Sequence, residues 1–213
     1  MNKLALAAAL GVAATIALPL TAQPMQKPGS ANPALVKAGT YQADPGHTLV
    51  EWSVDHMGYT PYFGLFGDIA GSLVIDPKDP AAAKVDVTIP VAKITTVNAA
   101  LTAHLLKPAA AGGKAEFFGA NPAAAHFVST KVEPLDGNRA RITGDLTLNG
   151  VTKPVTLDAA FYGAGNTGPM MGNKEGLGFT ATGTLRRSDF DLSYGVPIVS
   201  DEVALKISAA FLK

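Results

Sequence analysis

The stretch that decides the fold lies at residues 142–157 and reads ITGDLTLNGVTKPVTL. In its first half, apolar residues such as Ile142 and Leu146 alternate with polar ones, and Asn149-Gly150 separates this run from a second one with the same alternation. A period of two is typical of a β-strand with one dry and one wet face. Because Asn-Gly between two such runs is a strong turn signal, the stretch predicts an antiparallel β-hairpin.

The same alternation recurs from about residue 40 to the C-terminus. The connections are too short for parallel crossovers, so neighbouring strands are expected to be antiparallel. One candidate helix, at 97–106, interrupts the series. With the run at 142–148, the predicted strands number roughly eight and include 50–55, 68–76, 85–89, a weaker one at 126–133, 155–161, 179–185 and 202–211.

Antiparallel strands that each have one apolar face must close into a barrel or pair as a sandwich. Alternation alone fits both arrangements. A barrel is favoured because barrels of about eight strands can hold one small ligand, as lipocalins do. The prediction is an all-β, eight-stranded, antiparallel, lipocalin-like barrel with one short helix and an elongated apolar lumen.

The apolar face of these strands supplies the candidate ligand-binding residues. In a barrel with a lumen they line the ligand site, whereas in a solid core they pack against one another, and the residue types suit both arrangements. The candidates are Trp52, Val54, Ile69, Leu73, Val87, Leu146, Leu157, Phe179, Leu185, Leu205 and Ile207.

Aromatic residues are concentrated where the first hairpin is expected to reverse. Bulky apolar groups in a turn region indicate an apolar portal, although ordinary core beneath a loop explains them about as well. A Phe-Phe pair beyond the helix is a candidate lid by the same argument. The portal and lid candidates are Tyr59, Tyr62, Phe63, Phe66, Phe117 and Phe118.

Two polar residues are candidates for contact with a ligand head group. His56 shares its parity with Trp52 and Val54, so a regular strand points its ring inward near the strand end. A histidine satisfied by backbone or water at a strand terminus is an equal alternative. Arg186 and Arg187 are adjacent, so one is expected to face inward, and Arg186 is the candidate. A surface ion pair of Arg187 with Asp189 or Asp191 is the competing interpretation.

The N-terminus predicts export. After Lys3 the chain is almost without polar groups as far as Leu20, which is typical of a signal peptide at 1–22 with a cut after Ala22. Residues 23–39 are rich in Pro, Ala, Gly and Ser and predict a flexible lead-in, and 40–213 form the folded domain. Cysteine is absent, which excludes disulfides and a lipoprotein anchor. A periplasmic location is expected.

Charge and motifs argue against several function classes. Lys+Arg and Asp+Glu both number 17, so no strong field favours nucleic acid, and no segment after the leader is expected to span a membrane. Residues 163–168 satisfy G-x-G-x-x-G, but a dinucleotide site needs a helix to begin there, and Pro and Gly continue instead. Catalytic motifs are absent, and the four histidines have no metal-ligand spacing. No enzyme activity, metal or cofactor is predicted.

Several segments together resemble the YceI-like family of polyisoprenoid-binding proteins. The resemblance covers nearly everything from Tyr41 to Lys213 and implies an extended lipocalin-like barrel that encloses a polyprenyl chain or similar lipid. Asp191 departs from the pattern, because the family usually has glycine after Arg-Ser-Asp-Phe. The matching segments are DPGHT at 44–48, FGLFG at 63–67, GSLVID at 71–76, His104-Leu105, Phe117-Phe118, GDLTLNGVTKPV at 144–155 and RSDF at 187–190.

Three functional hypotheses follow. The leading one is non-catalytic binding, sequestration or transport of a long-chain isoprenoid lipid of polyprenyl or quinone type in the periplasm, with a homodimer left open. The second is an enzyme that acts on such a lipid, which requires inward titratable groups. The third is a structural or stress protein with a filled core that acts through a protein partner. A continuous apolar cavity would exclude the third.

Overall fold

The computed structural model describes residues 26–111 and 113–213, so the predicted signal peptide lies outside the described residues. Its regular structure is almost entirely β, with the one α-helix α1 at Ala99–Leu105, inside the predicted range. The strands are β1 Gly29–Ser30, β2 Gly39–Ala43, β3 Leu49–His56, β4 Thr60–Phe66, β5 Ala70–Ile75, β6 Lys84–Ile89, β7 Ala125–Leu135, β8 Arg139–Leu148, β9 Val151–Asn166, β10 Glu175–Arg186 and β11 Glu202–Leu212. Short 3-10 turns occur at Pro33–Leu35, Pro80–Ala82, Val91–Lys93, Pro169–Met171 and Arg187–Phe190.

The strands close into an eight-stranded antiparallel barrel, which confirms the predicted fold. From β5 to β11, each strand pairs with the next along the sheet, in the order β5-β6-β7-β8-β9-β10-β11. Strands β2 and β3 both pair with β11, while β5 pairs with β2 and β4 with β3. Two positions of the barrel are therefore each filled by two shorter strands, so ten strands make eight positions.

The antiparallel order gives the barrel two distinct ends. The Asp136 end carries the β7–β8 turn at 136–138, the β5–β6 connection at 76–83 and the β9–β10 connection at 167–174. The Asn149 end carries the β3–β4 turn at 57–59 and the Asn149-Gly150 turn. The long connections at 90–124 and 187–201 also leave the sheet at the Asn149 end.

Two clusters of buried side chains lie inside the barrel. One is near the Asn149 end and packs Val91, Phe190 and Leu192 from the connections against Phe127 and Val155 of the strands. The other lies between the strands that run on towards the Asp136 end. Its buried members are Tyr41, Ala43, Leu73, Ala164, Leu177 and Phe211. Each cluster fills one part of the interior.

The described part of the predicted lead-in packs on the barrel, which differs from the flexible segment expected. Gly29 and Ser30 pair with Gly165 and Ala164 at the far end of β9, because β9 extends past its partner β8 and leaves an edge to pair with. Val36 then packs against the second cluster.

The G-x-G-x-x-G stretch at 163–168 is not a dinucleotide site. Its first four residues end strand β9, and a short 3-10 turn at Pro169–Met171 follows it. A pyrophosphate site needs the N-terminus of an α-helix at this point. Among the described residues, no helix is long and apolar enough to cross a membrane.

Gly64 is required by the packing of the chain's single tryptophan. The indole of Trp52 lies across the opposing Gly64, and a Cβ there would be 2.2 Å from its Cζ2 atom. We expect Gly64→Ala to lower the free energy of unfolding by about 1–3 kcal/mol, because the ring must shift in a packed region. The fluorescence emission of Trp52 should change as the ring moves. Gly67→Ala is the control, since nothing lies within 4 Å of a Cβ there; equal behaviour of both variants would contradict the packing.

Candidate functional site

The barrel interior contains a large cavity. Its volume is about 690 Å³, within the roughly 300–1,000 Å³ usual for ligand pockets. Along β8, the inward residues from Ala140 to Leu148 all contribute to its wall, apart from Gly144, so it extends over roughly 25 Å of strand. A cavity of this size and length contradicts the hypothesis of a structural or stress protein with a filled core.

The cavity opens at the Asp136 end. Exposed residues there belong to its wall, including Pro33, Pro77, Pro80 and the turn at 136–138. At the Asn149 end the wall consists of buried groups such as Val91 and Ala125. The cavity is therefore a blind tube with one mouth.

Nine of the eleven predicted lumen residues line this cavity. They are Ile69, Leu73, Val87, Leu146, Leu157, Phe179, Leu185, Leu205 and Ile207. Period-two alternation identified the inner face correctly on these strands, and contact of these residues with a ligand stays a prediction.

Trp52 and Val54 do not line the cavity, which corrects their assignment. Trp52 is paired with the lining residue Leu205, so it is on the inner face as predicted. However, Val50 is the residue of β3 that lines the cavity, and the Trp52 ring packs across Gly64 of β4 instead. Alternation reports the face of a strand but not how much of that face borders the cavity.

The floor of the cavity is an apolar plug. Val91 and Phe190 are each 1% exposed and lie under the strand ends, with Leu192 beside them. Phe66 lines the cavity and meets Phe118 edge to face, with ring centroids 6.2 Å apart. Phe118 therefore closes the bottom of the barrel rather than covering its mouth.

The other predicted portal residues do not form the mouth. Tyr59 is 82% exposed and Phe63 is 50% exposed, and both belong to the β3–β4 hairpin at the Asn149 end. Tyr62 lies on the same hairpin, with its hydroxyl buried. Phe117 packs against His104 instead, with ring centroids 5.4 Å apart. The density of aromatic groups marked a hairpin correctly but not the open end of the barrel.

The predicted head-group residues lie away from the cavity. His56 ends β3 at the Asn149 end, where its ring is exposed and 6.4 Å from that of Tyr62. The Nε of Arg186 donates to Asp201 at 2.9 Å on the outer surface, and this hydrogen bond raises the pKa of the arginine. His56 therefore lies at a strand terminus, as its competing interpretation has it, and Arg186 faces outward, which corrects its inward assignment.

Arg187 is the buried member of the arginine pair, so the interpretation of it as a surface partner of Asp189 or Asp191 is wrong. It is 6% exposed, and burial lowers the pKa of its guanidinium. The guanidinium donates hydrogen bonds to four backbone carbonyls, those of Leu192, Tyr194, Val199 and Ser200, at 2.6–2.9 Å. It therefore holds the 190–200 connection, which carries part of the floor.

The backbone conformation of Asp191 explains how this position can depart from the family pattern. Its φ is 60°, in the left-handed region that favours glycine. Aspartate tolerates this conformation better than most residues, so the turn after Arg187–Phe190 keeps its shape without glycine.

The four histidines occupy four separate places. His47 is hydrogen-bonded to Asp44 at 2.8 Å, and His126 to Asp86 at 2.7 Å. His104 hydrogen-bonds Glu116 in the connection beyond α1, and this bond holds the pKa of the Glu116 carboxyl below its usual value. Within the described residues, no group of three or more His, Cys, Asp and Glu side chains is arranged to hold a metal ion.

Polar side chains are scarce in the cavity wall. Among the described lining residues, those with polar side chains are Thr48, Asp136, Asn138, Arg139 and Thr180. The Thr48 hydroxyl is already bonded to the backbone of Ala210. Sequence patterns missed the group at 136–139, because a polar β-turn is ordinarily interpreted as a solvent-exposed connection.

The fold and cavity together define a class: closed antiparallel barrels that enclose an elongated apolar site. Known proteins agree with this description. The YceI-like domain family matches residues 41–211. Protein YceI of Escherichia coli O157:H7 is 40% identical over 163 residues, which cover 76% of this chain and 80% of that protein. The chain belongs to the YceI-like family.

Solved structures have the same architecture. The Campylobacter jejuni YCEI protein superimposes with a TM-score of 0.61 at 31% identity, over 75% of this chain and 89% of that one. A polyisoprenoid binding domain from Saccharophagus degradans, implicated in plant cell wall breakdown, has a TM-score of 0.54 at 11% identity, over 83% and 99% of the two chains. At that identity, the second likeness concerns the fold alone.

Proposed function

We propose that the barrel binds one long-chain isoprenoid lipid, of polyprenyl or quinone type, without converting it chemically. The observation that carries the proposal is the blind, elongated cavity of about 690 Å³ with apolar walls. The name of the Saccharophagus degradans domain, which describes a polyisoprenoid-binding protein of the same fold, supports this choice of ligand.

Burial of apolar surface supplies the binding energy. Transfer of a hydrocarbon from water is favourable by about 25 cal/mol per Å² buried, or about 0.8 kcal/mol per CH₂ group. A polar chain would lose its hydrogen bonds to water along most of the wall, which costs several kcal/mol for each group left unpaired. The cavity therefore favours a ligand that is apolar over most of its length.

A carrier role fits the chemistry of the wall better than catalysis. General acid–base or nucleophilic chemistry requires titratable groups that converge on the reacting atoms. The charged residues in the described wall, Asp136 and Arg139, stand at the mouth. We propose periplasmic sequestration or transport, with export directed by the predicted signal peptide at 1–22.

The proposal is tested by a chain-length series of isoprenoid alcohols with ten, fifteen, twenty and more carbons. Each added unit that enters the cavity should tighten binding by at least about tenfold, since its buried carbons exceed the 1.4 kcal/mol that corresponds to tenfold. Affinity should reach a plateau once the tube is full. An affinity independent of chain length would contradict the proposal.

A further inference from the structure

The polar part of the cavity wall is gathered at the β7–β8 turn. Residues 134–140 are seven consecutive residues that all line the cavity, which a straight strand with alternating faces cannot do. Both strand ends and the turn between them therefore border the mouth. Asp136, Asn138 and Arg139 are its polar side chains.

Arg139 differs from the other three arginines in what its guanidinium contacts. Its Nε donates to the backbone carbonyl of Asp136 at 3.0 Å, so the side chain folds back over the turn. Neither terminal nitrogen has a hydrogen bond or ion pair with the described residues. By contrast, Arg141 is paired with Asp158, Arg186 with Asp201, and Arg187 with backbone carbonyls.

The direction of an amphiphile in the tube follows from these positions. The floor and walls at the Asn149 end are apolar, and the two buried donors of the β3–β4 hairpin, Trp52 Nε1 and the Tyr62 hydroxyl, do not belong to the cavity wall. An apolar tail therefore enters first, and a polar head stays at the mouth, beside water and Arg139.

We propose that Arg139 binds an oxyanion, a phosphate or a carboxylate, on the head of the lipid that the cavity holds. The inference rests on the proposed lipid-binding function and adds the chemical class of the head group. A guanidinium forms charge-assisted, often bidentate hydrogen bonds with such groups. The carboxylate of Asp136 on the same turn repels an anion, so it limits the preference for a charged head group over a neutral one.

The test compares ligands that share a C20 tail. Geranylgeranyl phosphate, geranylgeraniol and geranylgeranoic acid are titrated at low ionic strength into the full chain and its variants. The unaltered protein should bind at least one of the two oxyanions about three- to tenfold more tightly than the alcohol, as an exposed charged contact allows. The better of the two distinguishes a phosphate from a carboxylate as the head group.

The variants assign the preference to this turn. Arg139→Gln should remove the preference, because it weakens binding of the oxyanion ligand much more than binding of the alcohol, and Asp136→Asn should increase the preference. Arg141→Gln is the matched control, because it removes the same charge two residues along the same strand and should keep the preference. Added salt should weaken the preference.

The failures of the two proposals are distinguishable. Equal affinity for all three ligands, or a preference that survives in Arg139→Gln, would overturn the head-group assignment and leave lipid binding intact. If none of the C20 ligands binds the unaltered protein, the proposed function itself is overturned.

Discussion

Leu205→Trp should abolish most isoprenoid binding while the barrel remains folded. Leu205 lines the cavity from β11, between Trp52 and Gly183 on the neighbouring strands. The larger ring can turn into the tube, where it occupies the space of the ligand chain. Excluding as few as two CH₂ groups costs about 1.6 kcal/mol of binding, so affinity should fall by at least about tenfold. Titration with geranylgeraniol measures the effect.

The matched control is Lys206→Trp. Lys206 is the next residue of β11 and is exposed on the outer face, so the same substitution there adds the ring outside the barrel. Thermal unfolding of both variants shows whether the barrel is intact. Unchanged affinity in a folded Leu205→Trp protein would contradict the assignment of this residue to the ligand site.

Arg187→Met should destabilise the protein strongly. The substitution leaves four backbone carbonyls without their donor inside a buried part of the 190–200 connection. A buried acceptor left unsatisfied costs about 1–3 kcal/mol, so the loss of all four bonds should cost at least about 3–5 kcal/mol, and for a domain of this size the midpoint should fall by roughly 6–20 °C or more. Thermal unfolding followed by circular dichroism measures the shift.

Arg186→Met is the control for that prediction. It removes the neighbouring arginine, whose side chain is 70% exposed and bonded to Asp201 at the surface. Its midpoint should stay close to that of the unaltered protein, because exposed pairs contribute little. Arg187→Lys should behave like Arg187→Met, since one ammonium cannot reach four carbonyls. Similar midpoints for the two methionine variants would contradict the structural role of Arg187.

The fold was largely predictable because alternation is a local property of the chain. The hairpin around Asn149-Gly150 has the predicted pairing, with Leu148 opposite Val151. The sequence did not predict that β2 and β3 together fill one position of the barrel and β4 and β5 together fill the next. That arrangement depends on β11 pairing with both β2 and β3. Pairing across the barrel is a long-range property that a single sequence does not display.

The sequence predicted which face of each strand lines the cavity, but not which end of the barrel is open. Leu73 and Ile207 were assigned to the inner face by parity, and the structure places both in the cavity wall. The position of the mouth depends on which connections fold back beneath the barrel. Phe190 and Val91 close one end because Arg187 and the 90–124 connection hold them there, and no period in the sequence reports that.

Native mass spectrometry of the protein purified from its natural host shows whether the cavity carries an isoprenoid lipid. Organic extraction then identifies whatever is released. We expect one polyprenyl or quinone-type molecule per chain, released on denaturation. An unliganded mass that also resists loading with added isoprenoids would contradict the proposed lipid binding.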